Sequence, residues 1–193
     1  MRDAILRKAR QSADLELRFF EENAAGLEAC VRALAARFAA GGRLLCMGNG
    51  GSACDAQHVA VEFLHPIIEK RRALPALALS VDTAALTAIA NDTDFARVFA
   101  DQLELLGRPG DAALGISTSG ASANVNRALR RARELGLLTI GFAGRDGGQM
   151  AELCDHCFVV GTWSIHRIQE THTLLLHLLW DQVHIAMGED DVL

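Results

Sequence analysis

The sequence lacks an apolar stretch long enough to span a bilayer, and it lacks an excess of positive charge. Its 19 Lys and Arg stand against 24 Asp and Glu, which gives a formal net charge of −5. This balance offers no general attraction for nucleic acid or for an anionic membrane. The N-terminal 20 residues are charged throughout, unlike an export signal. We therefore expect a cytoplasmic protein that binds a small molecule.

The sequence also lacks a second CxxC to accompany the pair formed by Cys154 and Cys157. An odd total of five cysteines, without a signal peptide, predicts reduced thiols. The pair is open to a redox or zinc role. We favour structural packing, because the apolar strand HCFVVG follows directly.

No internal repeat or low-complexity tract interrupts the chain, and half of its 193 residues are apolar, so we expect a single domain over 1–193. Apolar spacing predicts N-terminal helices at 2–22 and 27–40 and a last helix at 164–187. Short apolar runs predict strands at 43–47, 74–80, 111–116, 137–142 and 156–160. Alternation with helical segments predicts an α/β fold with a parallel sheet covered on both faces. The last helix is apolar on several sides, which favours packing against another subunit.

The segment GNGGSACDAQHVAVEF, at 48–63, joins a sharp turn to a helix that Ser52 opens. Glycines bring bare backbone close to a ligand, and the unpaired N–H groups of a helix start attract anions. GNGGSA also fits a dinucleotide fingerprint with Asp82 as the ribose-binding acid, although Asp82 lies later than usual. No GK[ST] follows, which excludes a Walker loop. Further along this helix, His58 and Glu62 are four residues apart and share a face suited to metal binding or proton transfer.

A second loop, ISTSGAS, precedes another helix and is rich in hydroxyl groups. Such a turn can donate O–H and N–H groups to a phosphate monoester, and the alternative for any one serine is helix capping. Four hydroxyls at the end of a strand favour binding. These hydroxyls belong to Ser117, Thr118, Ser119 and Ser122.

Two further groups are ambiguous when taken alone. Asn91 and Asp92 are candidates to cap the following helix, and are also suited to binding sugar hydroxyls. In the last helix, Gln169 and His177 are two turns apart and close enough in direction to converge. His172 and His184 are expected on other faces. If Gln169 and His177 meet His58 and Glu62, the four form a plausible site for zinc or a similar divalent ion; otherwise these are ordinary core histidines.

The sequence resembles the bacterial phosphoheptose isomerases, the D-sedoheptulose 7-phosphate isomerases of the sugar isomerase (SIS) superfamily. The resemblance runs almost end to end and rests on GNGGSACDAQH at 48, AIAND at 88, GISTSGAS at 115 and RIQETH at 167. It implies a flavodoxin-like, three-layer α/β/α SIS domain with a five-stranded sheet. It also implies a homotetramer with active sites between chains, in which the N-terminal helices, within 1–40, contribute to packing.

The resemblance further implies a set of site residues. Zinc would be held by His58, Glu62, Gln169 and His177. The sugar phosphate would contact Asn49, Gly50, Gly51, Ser52, Glu62, Asn91, Asp92, Ser117, Thr118, Ser119, Ser122 and Gln169. The family reaction moves a carbonyl from C2 to C1 of a seven-carbon sugar phosphate for lipopolysaccharide core or related polymers. An enediol route needs a base and an acid, which we assign to Glu62 and His177.

One position departs from the family pattern. Pro66 stands four residues after Glu62, where family members commonly carry an arginine. Lys70, Arg71 and Arg72 are candidates to supply the positive contact instead. Two other functions stay open: isomerisation of a different ketose phosphate, and a regulatory SIS protein that binds without catalysis. Regulatory relatives lack the acid and the terminal histidine, so the presence of both here favours an enzyme.

Overall fold

The computed structural model describes residues 1–67 and 71–191, and these ranges form five strands and seven α-helices. The strands are β1 (Leu44–Gly48), β2 (Ala76–Ala78), β3 (Ala112–Ser117), β4 (Leu138–Gly144) and β5 (His156–Val160). The helices are α1 (Arg2–Ala39), α2 (Gly51–Leu64), α3 (Thr83–Asp92), α4 (Val98–Leu106), α5 (Ala123–Glu134), α6 (Met150–Leu153) and α7 (Ile165–Ala186), with a 3₁₀ turn at Phe95–Arg97. No helix within these ranges has both the length and the apolar character that a bilayer span requires.

The strands form one parallel sheet in the order β2-β1-β3-β4-β5. One apolar cluster joins α1, α2 and α7 to one face, and a second joins α4, α5 and α6 to the other. The predicted three-layer, flavodoxin-like α/β/α fold is therefore confirmed. Because the chain leaves β1 toward β2 on one side and β3 pairs with β1 on the other, the loops after β1 and β3 flank the topological switch point. Ligands of such folds bind there.

The prediction of two N-terminal helices is wrong, because α1 is continuous over 38 residues and about 57 Å long. The segment between the two predicted helices, residues 23–26, contains no proline. A glycine in a helix costs only about 1 kcal/mol, and Gly26 packs on Phe158 of β5. The first three turns of α1 are largely exposed, with Ile5 at 61% and Leu6 at 43%.

The other boundaries lie close to those predicted, except at the sheet edge. Strand β2 contains three residues instead of seven, and its central Leu77 is 40% exposed. Strand β2 pairs with β1 over only three residues, so the apolar run at 74–80 overestimates the length of the strand. Helix α7 and strand β5 match their predicted ranges within one residue.

Candidate active site

The glycine loop, Gly48 to Gly51, turns the chain sharply from β1 into α2. A side chain at Gly48 would overlap the Ser52 backbone, so glycine is required for this close approach. Ser52 itself is 4% exposed and packs beneath the loop. The N–H groups of Ser52, Ala53 and Cys54 donate to carbonyl oxygens of the glycine loop. The N–H groups of Gly50 and Gly51 are therefore the candidates to bind an anion here.

The serine loop, Ser117 to Ser122, turns the chain from β3 into α5. The Ser117 hydroxyl lies 2.8 Å from that of Ser122 and 3.4 Å from that of Ser119. Gly120 has a φ of +62° and packs so tightly on Gly147 that a side chain there would overlap its carbonyl oxygen. The hydroxyl groups are therefore held together at the carboxyl end of the sheet, as the phosphate prediction requires.

The two loops are joined by a reciprocal amide pair. Asn49 Nδ2 donates to Asn124 Oδ1 at 2.9 Å, and Asn124 Nδ2 donates to Asn49 Oδ1 at 2.8 Å. The Val125 N–H also donates to Asn124 Oδ1, at 2.9 Å, and Asn124 is 3% exposed. Asn49, a predicted substrate contact, therefore also fixes the position of one loop against the other.

His58, Glu62 and His177 come together beside α2. His58 Nε2 lies 3.2 Å from Glu62 Oε1 and 3.2 Å from His177 Nε2, and the two imidazole rings meet edge to face. One potential ligand atom from each residue lies within 4.8 Å of the others. No other His, Cys, Asp or Glu group of this kind occurs in the described part of the chain. The fold thus brings together residues 119 positions apart in sequence.

Gln169 reaches the site from α7 at the beginning of α2. Its amide lies against Gly51, where even a Cβ would overlap Nε2. The side chain consequently stands next to the glycine loop. This contact supports a position at the substrate, while its role as a metal ligand stays a prediction.

The electrostatics of the site favour a neutral imidazole at His177. Desolvation by burial lowers the pKa of His177, the electrostatic interaction with His58 lowers it further, and Glu62 partly opposes both. A neutral ring offers a lone pair to a metal or a proton. One turn before His58, burial raises the pKa of Asp55 to about 6, and the electrostatic interaction with His58 opposes this rise.

The capping interpretation of Asn91 and Asp92 is wrong. Both are exposed residues in the last turn of α3, where Asn91 Nδ2 donates to Asp92 Oδ1 at 2.8 Å. The following turn is capped by Asp94, whose carboxylate accepts from the Ala96 N–H. The proposed contact of Asn91 and Asp92 with sugar hydroxyls stays a prediction. Asp82 caps α3 by accepting from the Ala85 N–H, a local structural role that does not require a ribose.

His172 and His184 of α7 lie away from the cluster, as expected. His172 is buried, with Nε2 3.0 Å from the Ala143 carbonyl oxygen, and His184 is buried, with Nδ1 3.0 Å from Glu189. Cys154 and Cys157 are free thiols whose sulfurs both pack on Gly141. Their contacts support the structural interpretation of the CxxC.

Two of the three candidates to replace the family arginine have other partners within this chain. Helix α2 ends at Leu64, so Pro66 lies beyond it. Arg71 is buried, paired with Asp181 at 2.6 Å and stacked over Trp180. Arg72 pairs with Glu189 at 2.9 Å, near the end of α7. Lys70 lies outside the described residues.

Sequence reasoning missed Asn124 and the loop after β4. Asn124 follows the serine loop, but a polar residue in the first turn of a helix is common and gives no signal of burial. Gly147 and Gly148 support the serine loop through backbone contacts with Gly120, and a double glycine after a strand was the available signal.

Comparison with known proteins agrees with this geometry. A family model for the SIS domain matches residues 9–144. The chain is 53% identical over 177 residues to the phosphoheptose isomerase of Desulfovibrio desulfuricans, covering 92% of this chain and 84% of that protein.

Two solved phosphoheptose isomerase structures share the fold. The Neisseria gonorrhoeae structure has a TM-score of 0.88 at 37% identity, covering 94% of this chain and 97% of that one. The Francisella tularensis structure has a TM-score of 0.90 at 31% identity, with coverage of 95% and 97%. The chain belongs to the phosphoheptose isomerase family of SIS domain proteins.

Proposed function

We propose that this protein isomerises D-sedoheptulose 7-phosphate to D-glycero-D-manno-heptose 7-phosphate through an enediol. The observation that carries the proposal is the His58, Glu62 and His177 cluster at the helix that the glycine loop begins, in a fold that also holds a hydroxyl-rich loop. Proton-transfer groups and a phosphate-binding loop are the two requirements of an aldose–ketose isomerase acting on a sugar phosphate.

The serine loop is proposed to bind the phosphate. Its hydroxyl groups and the N–H groups at the start of α5 provide donors without requiring a nucleotide-type lysine. The sugar then extends toward the glycine loop, where Asn49, Gly50, Gly51 and Gln169 are candidate contacts. Asn91 and Asp92, exposed at the end of α3, are proposed to bind sugar hydroxyls.

Glu62 is the proposed base. It removes the proton from C1 of the ketose, and the carbonyl oxygen at C2 takes up a proton, which gives the enediol. Return of a proton to C2 and loss of the C1 hydroxyl proton complete the aldose. His177, whose pKa is lowered by burial and by His58, is proposed to exchange the proton with the substrate oxygens.

The donor set fits a divalent ion such as zinc. Two imidazoles and a carboxylate with ligand atoms within 4.8 Å of one another match the nitrogen and oxygen donors that zinc prefers. His58, Glu62 and His177 would hold the ion, with Gln169 as the proposed fourth ligand. When bound, zinc supplies Lewis-acid stabilisation of negative charge on a substrate oxygen.

The proposal extends to assembly and location. Membership of the family supports the proposal of a homotetramer with active sites between chains, working in the cytoplasm in heptose synthesis for lipopolysaccharide core. Exposed apolar side chains support association: Val61 and Leu64 of α2 lie with Leu77 and Val81 along one cleft of about 560 Å³. Measurement of molecular mass in solution tests the tetramer.

Purified protein incubated with a panel of ketose phosphates, with and without a chelator, tests the proposed activity. We expect conversion of sedoheptulose 7-phosphate, loss of turnover after chelation, and recovery on adding zinc. Preferred conversion of another ketose phosphate would change the assigned substrate. Binding without turnover in the zinc-loaded protein would instead support the regulatory alternative.

A further inference from the structure

The proposed substrate carries a phosphate with more charge than the serine loop alone can neutralise. A phosphate monoester has a charge between about −1.5 and −2 at neutral pH, and the side chains of the serine loop are uncharged. Five loops follow the strands at the carboxyl edge of the sheet: 49–50, 79–82, 118–122, 145–149 and 161–164. All five are described, and Arg145 is the sole arginine or lysine that they contain.

Arg145 begins the loop that borders the serine loop. The preceding residue, Gly144, packs on the Thr118 carbonyl oxygen, which would lie 2.7 Å from a Cβ at that position. Farther along, Gly148 packs on Ser119 and Gly120. A Cβ added at Gly148 would lie 2.9 Å from the Ser119 carbonyl oxygen. The backbone on each side of Arg145 therefore touches the serine loop.

The backbone of Arg145 has an unusual conformation. Its φ of +60° is the one positive value for a residue other than glycine in the described ranges. The Arg145 N–H donates to the Thr162 carbonyl oxygen at 3.2 Å, which ties the residue to the loop before α7. Arginine in this region is strained, and such strain is common at ligand-binding sites.

The Arg145 guanidinium is not neutralised by a carboxylate. It lies over the ring of Trp163, 5.3 Å from the centroid, and makes no salt bridge with a described residue. Its Nε is buried without a hydrogen-bond partner in the described chain. By contrast, Arg167 in the first turn of α7 pairs with Glu170 at 2.6 Å. The neighbouring acid, Asp146, accepts from the Gly148 N–H at 3.2 Å.

We propose that Arg145 is a substrate-binding residue that contacts the phosphate held by the serine loop, and that Trp163 supports its guanidinium before binding. This inference rests on the proposed function, because it assumes a sugar phosphate as the ligand. A guanidinium can donate two hydrogen bonds to two phosphate oxygens at once. The phosphate is therefore a stronger partner for Arg145 than the indole ring of Trp163. The interaction is with the non-reacting end of the substrate, so it should govern KM more than kcat.

Arg145→Gln and Arg145→Gly test the inference against a matched control, Arg133→Gln. Glycine adopts the positive φ without strain. The Arg145→Gly variant should therefore keep the loop intact even if Arg145→Gln disturbs it. Arg133 is an exposed arginine in the last turn of α5, near the amino ends of the strands and away from the proposed site. Its substitution makes the same change in charge.

We expect both Arg145 variants to raise KM for sedoheptulose 7-phosphate roughly tenfold to hundredfold, the loss expected for a charged hydrogen bond, with kcat within about threefold. Arg145→Lys should restore part of the affinity. Calorimetric titration with inorganic phosphate should show parallel weakening. Values of KM and phosphate affinity equal to those of the Arg133 control would overturn the inference. If the wild type turns over no ketose phosphate, the proposed function fails, and the phosphate titration still decides the role of Arg145.

Discussion

Replacing Asn124 with alanine tests whether the amide pair holds the two binding loops together. The substitution removes three hydrogen bonds, two shared with Asn49 and one from the Val125 N–H. Each hydrogen bond contributes about 1 kcal/mol, and water can partly replace the lost partner of the half-buried Asn49. The free energy of unfolding should therefore fall by about 2–3 kcal/mol. For a chain of this size, that loss lowers Tm by roughly 5–10 °C.

Thermal and denaturant unfolding of Asn49→Ala, Asn124→Ala and the double variant, at one protein concentration, measure the coupling. Because two bonds are shared, the double variant should be less destabilised than the sum of the single variants by about 2 kcal/mol. The kcat/KM for the ketose phosphate should fall at least about tenfold in each, since loop alignment is lost. Asn23→Ala, which removes one bond to the Phe19 carbonyl oxygen of α1, is the control and should retain activity. Single effects that add within about 0.5 kcal/mol would refute this reasoning.

Three other substitutions have distinct expected results. Gly51→Ala should displace the Gln169 amide, the flexible end of a side chain, so activity should fall in steady-state assays while circular dichroism stays unchanged; unchanged kinetics would contradict the contact. His172→Gln should flatten the stability profile at acid pH. Burial lowers the pKa of His172 to about 4 from 6.5, so as pH falls the unfolded chain takes up a proton at this histidine before the folded protein does. The neutral histidine therefore contributes about 3 kcal/mol to the free energy of unfolding above pH 6.5, and this contribution is lost as pH falls toward 4. A pH profile of stability that the substitution leaves unchanged, measured by denaturant titration, would contradict this. Asp181→Ala should destabilise the fold by about 3–5 kcal/mol by leaving buried Arg71 unpaired, without raising KM; a raised KM would favour a phosphate role for Arg71.

Local periodicity was sufficient to predict most of the fold. Buried strands such as β3 have continuous apolar runs, and α7 has a regular helical pattern, so both matched within one residue. The division of α1 was predicted wrongly because the packing of Gly26 on Phe158 is a tertiary contact. The length of β2 was overestimated because its sequence does not reveal that only three of its residues pair with β1.

The candidate site was predictable only in part. Helical spacing is enough to place His58 and Glu62 together, whereas their meeting with His177 depends on packing of α7 beside α2. The Asn49–Asn124 pair could not be predicted, since it requires the loops after β1 and β3 to be neighbours. The cap after α3 was misassigned because several adjacent residues suit that role, and Asp94 has the backbone position for it.

The most direct test of the central claim, that the residues around His58 carry out proton transfer on a ketose phosphate, is kcat for Glu62→Gln on saturating sedoheptulose 7-phosphate. Glutamine preserves size and one acceptor oxygen but cannot take the proton. We predict a loss of about 10²–10⁴-fold in kcat, with the folded state and phosphate binding retained. A Glu62→Gln variant that turns over within a few fold of the wild type would contradict the account.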